Sequence, residues 1–232
     1  MGGFVSVAVI EVVEAGQVPY HEALEWQRRL ARDRIEGRLD HDVLLLLEHP
    51  AVITLGRGSR ADHLVNPEHL EVVEIERGGD VTFHGPGQLV GYPILDLTAF
   101  RPDLHWYLRA LEEALIHALA DLGIPAERRA GFTGVWTREG RKIASIGVHV
   151  KQWVTWHGFA LNVTTDLAHF ERIVPCGIPG VEMTSIEREG GRGKGEGSLW
   201  DETIEAVVRG FETAFGVCAP TPPLDGFVRR LR

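Results

Sequence analysis

The run Arg77-Gly-Gly-Asp-Val-Thr-Phe-His-Gly-Pro-Gly-Gln88 leaves one strand, predicted over residues 72–76, and enters another, over 89–97. Its four glycines each cost backbone entropy on folding. A chain accepts that cost where a ligand must approach the backbone or where positive φ is required; otherwise such a run is a plain connection between strands. Amides exposed there could hold a carbonyl oxygen or a phosphate. No helix follows the run, so it is neither the dinucleotide fingerprint nor a phosphate-cradling loop.

On either side the pattern is regular. Residues 4–13 alternate and are rich in valine, which predicts a strand. Residues 19–35 predict a helix, with Pro19 in its first turn and Ala23, Leu24, Gln27, Leu30, Ala31 and Ile35 on one face. Residues 42–48 and 51–55 predict strands broken at His49-Pro50, because the residue before a proline leaves helical space. Residues 102–122 predict a helix with a leucine stripe, stopped by Gly123. Strands are expected over 134–138, 142–150 and 153–163, in hairpin connection with turns at Glu139-Gly140 and Lys151-Gln152. A short helix over 166–172 and a last helix after the capping sequence Ser198-Leu-Trp-Asp201 complete the series. Residues 189–197 are low in complexity and predict a mobile loop, and the tail carries prolines and Arg229-Arg230. Strands and helices are mixed, with several antiparallel connections, so the class is α/β or α+β around one mixed sheet.

Composition narrows the function. The chain has 232 residues, 44% hydrophobic and 25% charged, the balance of a soluble globule with a full core. No run approaches the ~20 apolar residues of a membrane span, and no secretory signal is visible, so neither a membrane role nor secretion is expected. Two cysteines, Cys176 and Cys218, make no disulfide framework and suit a reducing compartment. The net charge of −9 argues against a nucleic-acid binder. Residues 128–151 run the other way, with six basic side chains against Glu139 alone. They form either a solvated hairpin edge or a docking patch for an acidic partner.

Three further segments carry chemistry. In Lys142-Ile-Ala-Ser-Ile-Gly147, period-two geometry places Lys142 with Ala144 and Ile146, opposite Ile143, Ser145 and Gly147. A lysine there is solvent-exposed unless it points into a cleft, where desolvation makes it a usable base. In His157-Gly-Phe-Ala-Leu-Asn-Val163, Gly158 and Ala160 leave room for a ligand or for close packing. In Ile173-Val-Pro-Cys-Gly-Ile-Pro-Gly180, Cys176 lies between prolines and glycines on a rigid, irregular loop, an unusual place for a core cysteine. Cys218, after the last helix, is expected among aliphatic core residues. A reactive thiol needs a proton acceptor or a positive neighbour. No histidine or cysteine spacing makes a metal set, and there is no G-x-S-x-G elbow.

Taken together, the four segments resemble the octanoyltransferases of lipoate synthesis, the lipoate-protein ligase B family. R-G-G-D-V-T-F-H-G-P-G-Q-L-V-G-Y from Arg77, G-R-K-I-A-S-I-G-V from Gly140, H-G-F-A-L-N from His157 and I-V-P-C-G-I from Ile173 match in order and spacing. The resemblance covers about residues 43–185 and implies one catalytic domain over 1–232. It implies a fold related to the catalytic domains of biotin and lipoate-protein ligases, a mixed sheet flanked by helices with a smaller accompanying sheet.

The resemblance also implies Cys176 as nucleophile and Lys142 as its dyad partner. It implies an apolar acyl cavity formed by Arg77, Gly78, Gly79, Asp80, Val81, Thr82, Phe83 and His84, by Ser145, Ile146 and Gly147, and by Gly158, Phe159 and Ala160. His84 is expected to orient the loop or the target lysine, or to be structural. The activity so implied is octanoyl transfer in the cytoplasm, from octanoyl-acyl carrier protein to a lipoyl-domain lysine. The acceptors are the lipoyl domains of 2-oxoacid dehydrogenase acyltransferase subunits and the glycine cleavage H protein. No cofactor is expected beyond the carrier's phosphopantetheine arm. The alternatives are an ATP-dependent lipoate or biotin ligase on the same fold, which would need no cysteine nucleophile, and a non-catalytic acyl or lipoyl-domain binding module.

Overall fold

A computed structural model describes residues 9–191 and 198–220. The start of the strand expected over 4–13, most of the glycine-rich run 189–197 and the basic tail lie outside the described residues. In chain order the elements are β1 (Ile10–Gln17), α1 (Tyr20–Ile35), β2 (Asp42–Glu48), β3 (Val52–Leu55), β4 (Glu71–Glu74), β5 (Thr82–His84) and β6 (Gln88–Ile94). They continue with α2 (Leu104–Asp121), β7 (Ala126–Glu127), β8 (Val135–Thr137), β9 (Lys142–Lys151), β10 (Val154–Asn162) and α3 (Leu199–Phe215). A seven-stranded mixed sheet runs β1-β2-β6-β10-β9-β8-β7, and a second sheet runs β4-β3-β5. The expected class, a mixed sheet with helices and a smaller companion sheet, is what the chain adopts.

β2 shows why helices cover both faces of the large sheet. Val43, Leu45 and Leu47 pack with Trp26 and Leu30 of α1, while Leu44 and Leu46 join Leu111 and Leu115 of α2 and Phe211 of α3. Alternating side chains of one all-apolar strand therefore feed two cores. The break at His49-Pro50 is where the chain changes sheets, since β2 belongs to the large sheet and β3 to the small one.

Four expectations need correction. The glycine-rich run contains a strand: β5 pairs antiparallel with β3, Val52 opposite His84. Only three residues long and flanked by glycines, it gives too short an alternation to read. The β9–β10 turn is Gln152-Trp153, one residue later than expected, with both φ positive as a two-residue hairpin requires. The helix expected from residue 102 starts at Leu104, where Asp103 accepts the Trp106 amide as its cap. The cap expected at Ser198 is present: its hydroxyl accepts the Asp201 amide. Cys218 is exposed rather than in the core, beside Val9 at the edge of β1.

Candidate active site

Lys142 opens β9, and a β-bulge decides where its side chain goes. Trp136 of β8 pairs with Lys142 and the preceding Val135 with Ala144, so Ile143 is skipped. Ile143 and Ala144 both enter the core under α2, and the alternation expected for this strand breaks. Lys142 is thereby re-aimed to the side of Ser145, not that of Ala144 and Ile146. Both then reach the same sulfur: Lys142 Nζ lies 3.2 Å and Ser145 Oγ 3.5 Å from Cys176 Sγ.

The lysine is wholly buried. Its amine also donates to Thr133 O at 3.4 Å and sits 4.7 Å from the centroid of the Trp136 ring. A cation over a tryptophan face, out of water, is worth about 2 kcal/mol. The backbone is held as firmly: the Lys142 amide donates to Glu182 O and its carbonyl accepts the Thr184 amide.

Cys176 arrives on a different kind of structure. It lies in the turn Pro175–Gly177 with φ 55° and ψ 22°, a left-handed conformation that costs a non-glycine residue about 1–3 kcal/mol. The turn is over-determined by its surroundings. The Cys176 amide donates to Val81 O at 2.9 Å and the Val174 amide to His63 O at 2.8 Å. Asp80 braces it from below, accepting the Val81 amide with one oxygen and meeting His63 Nδ1 at 2.6 Å with the other. A Cβ on Gly177 would lie 2.5 Å from Asp80 Oδ2, so only glycine fits between the turn and its brace.

Cys176 opens on a cavity of about 250 Å³. Of the residues expected to line it, Arg77, Gly79, Asp80, Thr82, His84, Ser145, Ile146, Gly147, Gly158, Phe159 and Ala160 do. Gly78, Val81 and Phe83 do not. The Gly78 amide is tied to Val148 O, and Val81 and Phe83, alternating with Thr82, point into a separate apolar cluster with Ile53 and Phe170. Tyr20, Tyr92, Gly131, Phe132, Thr133, His157 and Ile178 complete the wall with Cys176, and only tertiary structure could bring them there.

The cavity is less apolar than expected. The Arg77 guanidinium is buried in its wall, donating to Thr54 O and Thr54 Oγ1 with no carboxylate partner among the described residues. Burial pushes the pKa of Arg77 down and those of Tyr20 and Tyr92 up. Burial likewise holds His84 well below the ordinary histidine value and lowers His157. The His84 proton can be placed. The Gln88 amide nitrogen donates to Phe83 O and Asn162 Oδ1, so its oxygen must accept, and the proton is on His84 Nδ1 at 2.8 Å. Asn162 in turn donates to Thr184 O, which neighbours the Lys142 ladder. His84 is therefore a neutral member of a network that ends at the lysine backbone.

The family model of the lipoyl protein ligase A/B catalytic domain matches residues 19–212. The octanoyltransferase of Gloeobacter violaceus is 62% identical, the match covering 76% of this chain and 84% of that one. The octanoyltransferase of Geobacter sulfurreducens is 56% identical, covering 79% and 77%. Among solved structures, lipoate-protein ligase A bound with ATP superposes with a TM-score of 0.74 at 16% identity, over 95% of this chain and 91% of that one. A putative lipoate protein ligase from Thermoplasma acidophilum with bound lipoic acid gives 0.73 at 15%, over 97% and 92%. Identities this low speak for the fold; the membership rests on the sequence matches. The chain belongs to the lipoyl protein ligase A/B catalytic-domain family, among its octanoyltransferases.

Proposed function

We propose that this octanoyltransferase moves an octanoyl group from octanoyl-acyl carrier protein to a lipoyl-domain lysine through a thioester on Cys176, with Lys142 as proton partner. The observation that carries this reading is the 3.2 Å approach of a buried amine to a thiol at the wall of a cavity. Lys142 takes the Cys176 proton, and the thiolate attacks the carbonyl carbon of the carrier thioester. The carbon–sulfur bond to the phosphopantetheine arm breaks, and Lys142 returns the proton to the departing sulfur. The acceptor lysine, as free amine, then attacks the Cys176 thioester. The amide forms, the Cys176 carbon–sulfur bond breaks, and the amine's proton passes to Lys142. Thioester exchange is nearly balanced in energy and the amide lies downhill, so the route calls for neither ATP nor a bound cofactor.

The oxyanion is not served by the amides of Gly78, Cys176 or Gly177, which already donate to Val148, Val81 and Val174. The amides of Gly79 and Asp80 have no protein acceptor among the described residues and line the cavity, so they take that role with Arg77 beside them.

The carriers and acceptors belong to the same proposal: octanoyl-acyl carrier protein as donor, and as acceptors the lipoyl domains of 2-oxoacid dehydrogenases and the glycine cleavage H protein. No helix among the described residues is long and apolar enough to cross a membrane, and we place the activity in the cytoplasm. The docking patch must rest on fewer charges than residues 128–151 carry. Arg128 is paired with Glu112 and Glu113, Arg141 with Glu189, and Lys142 is buried. Arg129, stacked on Phe132 at the cavity rim, Arg138 and Lys151 remain to meet an acidic carrier.

Intact-mass measurement after mixing with octanoyl-acyl carrier protein tests the reading. One octanoyl adduct, labile to hydroxylamine and absent in Cys176→Ser, is expected. An adduct on Cys218, or product formed from free octanoate and ATP alone, would move the assignment elsewhere.

A further inference from the structure

The 128–134 segment between β7 and β8 is pressed against the end of the Lys142 side chain. Thr133 O accepts from the amine, and Gly134, at φ +135°, lies over the ε-carbon. A Cβ on Gly134 would sit 3.1 Å from Lys142 Cε, 3.3 Å from Nζ and 2.7 Å from Ala144 O. The position of the amine therefore depends on where this peptide is held.

One side chain holds it. Glu112, in the middle of α2, is completely buried although its helix neighbours Leu111 and Leu115 belong to the apolar core. A lone buried carboxylate costs several kcal/mol unless its oxygens are fully engaged. Here Oε1 accepts the Gly134 amide at 3.2 Å, while Oε2 accepts Arg109 at 2.5 Å and Arg128 Nε at 3.1 Å. Arg128 also donates to Arg109 O on α2. The carboxylate thus grips the segment at both ends, at Arg128 and at Gly134, and an aliphatic residue would serve helix packing alone.

We propose that Glu112 is a positioning residue for Lys142: it fixes the Thr133-Gly134 peptide that sets the distance from amine to sulfur. The chain of contact runs from carboxylate to Gly134 amide to Thr133 carbonyl to Lys142 Nζ. This inference rests on the dyad reading of Cys176 and Lys142.

The test uses full-length protein carrying Cys218→Ser, so that only Cys176 alkylates. Its readouts are the pH profile of iodoacetamide alkylation, the acylation rate, KM for the carrier and Tm. Glu112→Asp keeps the charge for Arg128 but withdraws the carboxylate from Gly134. It is expected to slow acylation about tenfold and raise the alkylation midpoint by about one pH unit, with KM unchanged. Glu112→Gln keeps an oxygen for Gly134 and should retain acylation within about threefold. In Lys142→Ala, adding Glu112→Asp should cost nothing further, because the residue acts through the amine. Equal losses in both backgrounds, a wild-type profile for Glu112→Asp, or a Gln variant worse than Asp would each overturn the proposal. Full activity in Lys142→Ala alone would overturn the dyad reading as well; a normal loss there beside a silent Glu112→Asp overturns only this inference.

Discussion

The amine and the sulfur of the proposed dyad are delivered by opposite kinds of structure. Lys142 stands on a ten-residue strand of the large sheet, paired on one side to β10 and bulged on the other against β8. Cys176 stands on a three-residue turn in a left-handed conformation, with no strand or α-helix of its own. Regular structure fixes the amine by many weak bonds along the ladder, and the bulge supplies the single irregularity that aims it. The turn has few bonds of its own and borrows rigidity from Asp80 and His63 on other segments. The lysine side of the site should therefore fail by losing chemistry, and the cysteine side by losing geometry.

The largest effect expected comes from the amine. Lys142→Ala should keep the fold yet lose roughly 10²–10⁴-fold in octanoyl transfer, measured with purified carrier and lipoyl domain. A variant with undiminished turnover would show that the strand holds the lysine for packing only. On the other side, Asp80→Asn removes the charge from the brace beneath the turn, a hydrogen bond worth about 1.5–3 kcal/mol. We expect a lowered Tm together with slower acylation, whereas Lys142→Ala should lose far more rate than its change in Tm accounts for. If both variants lose rate at constant Tm, the contrast between the two halves is wrong.

Acid separates the regions a third way. His49 is buried between Val18 O and Tyr92 Oη, and burial lowers its pKa to about 4, against 6.5 when unfolded. Between those values the unfolded chain binds a proton that the folded chain refuses, so stability falls as pH drops from 6.5 towards 4. Each unit costs about 1.4 kcal/mol for this group, with His84 and His157 adding in the same direction. Chemical denaturation at pH 7, 6 and 5 should show that slope, and His49→Gln should flatten it. A slope unchanged by His49→Gln would locate the acid sensitivity elsewhere. The smallest effect belongs to the rim. Raising salt should weaken carrier binding roughly two- to fivefold, and Arg129→Ala should reduce that dependence without changing the acylation rate at saturating carrier.

Sequence alone marked out the candidate site residues and the course of the chain. A cysteine between prolines and glycines, a lysine opening a valine- and isoleucine-rich strand, the Gly78-Gly79 pair and the small residues Gly158 and Ala160 are local patterns. Local patterns are set by backbone sterics and side-chain period, which neighbours in sequence supply. The undiluted apolar run over residues 43–47 likewise suits a buried strand. Tertiary structure decided the rest. The skipped pairing at Ile143 exists only relative to β8, so an unbroken alternation put Lys142 on the wrong side. Strand β5 is too short to show a period and is a strand because β3 lies beside it. Glu112 lies beside the leucine stripe of its helix and reads as an edge residue until Gly134 and Arg128 close over it. Long-range pairing, not composition, turned a lysine and a cysteine far apart in the chain into neighbours, because their separation is set by hydrogen-bond registers between segments that no local sequence encodes.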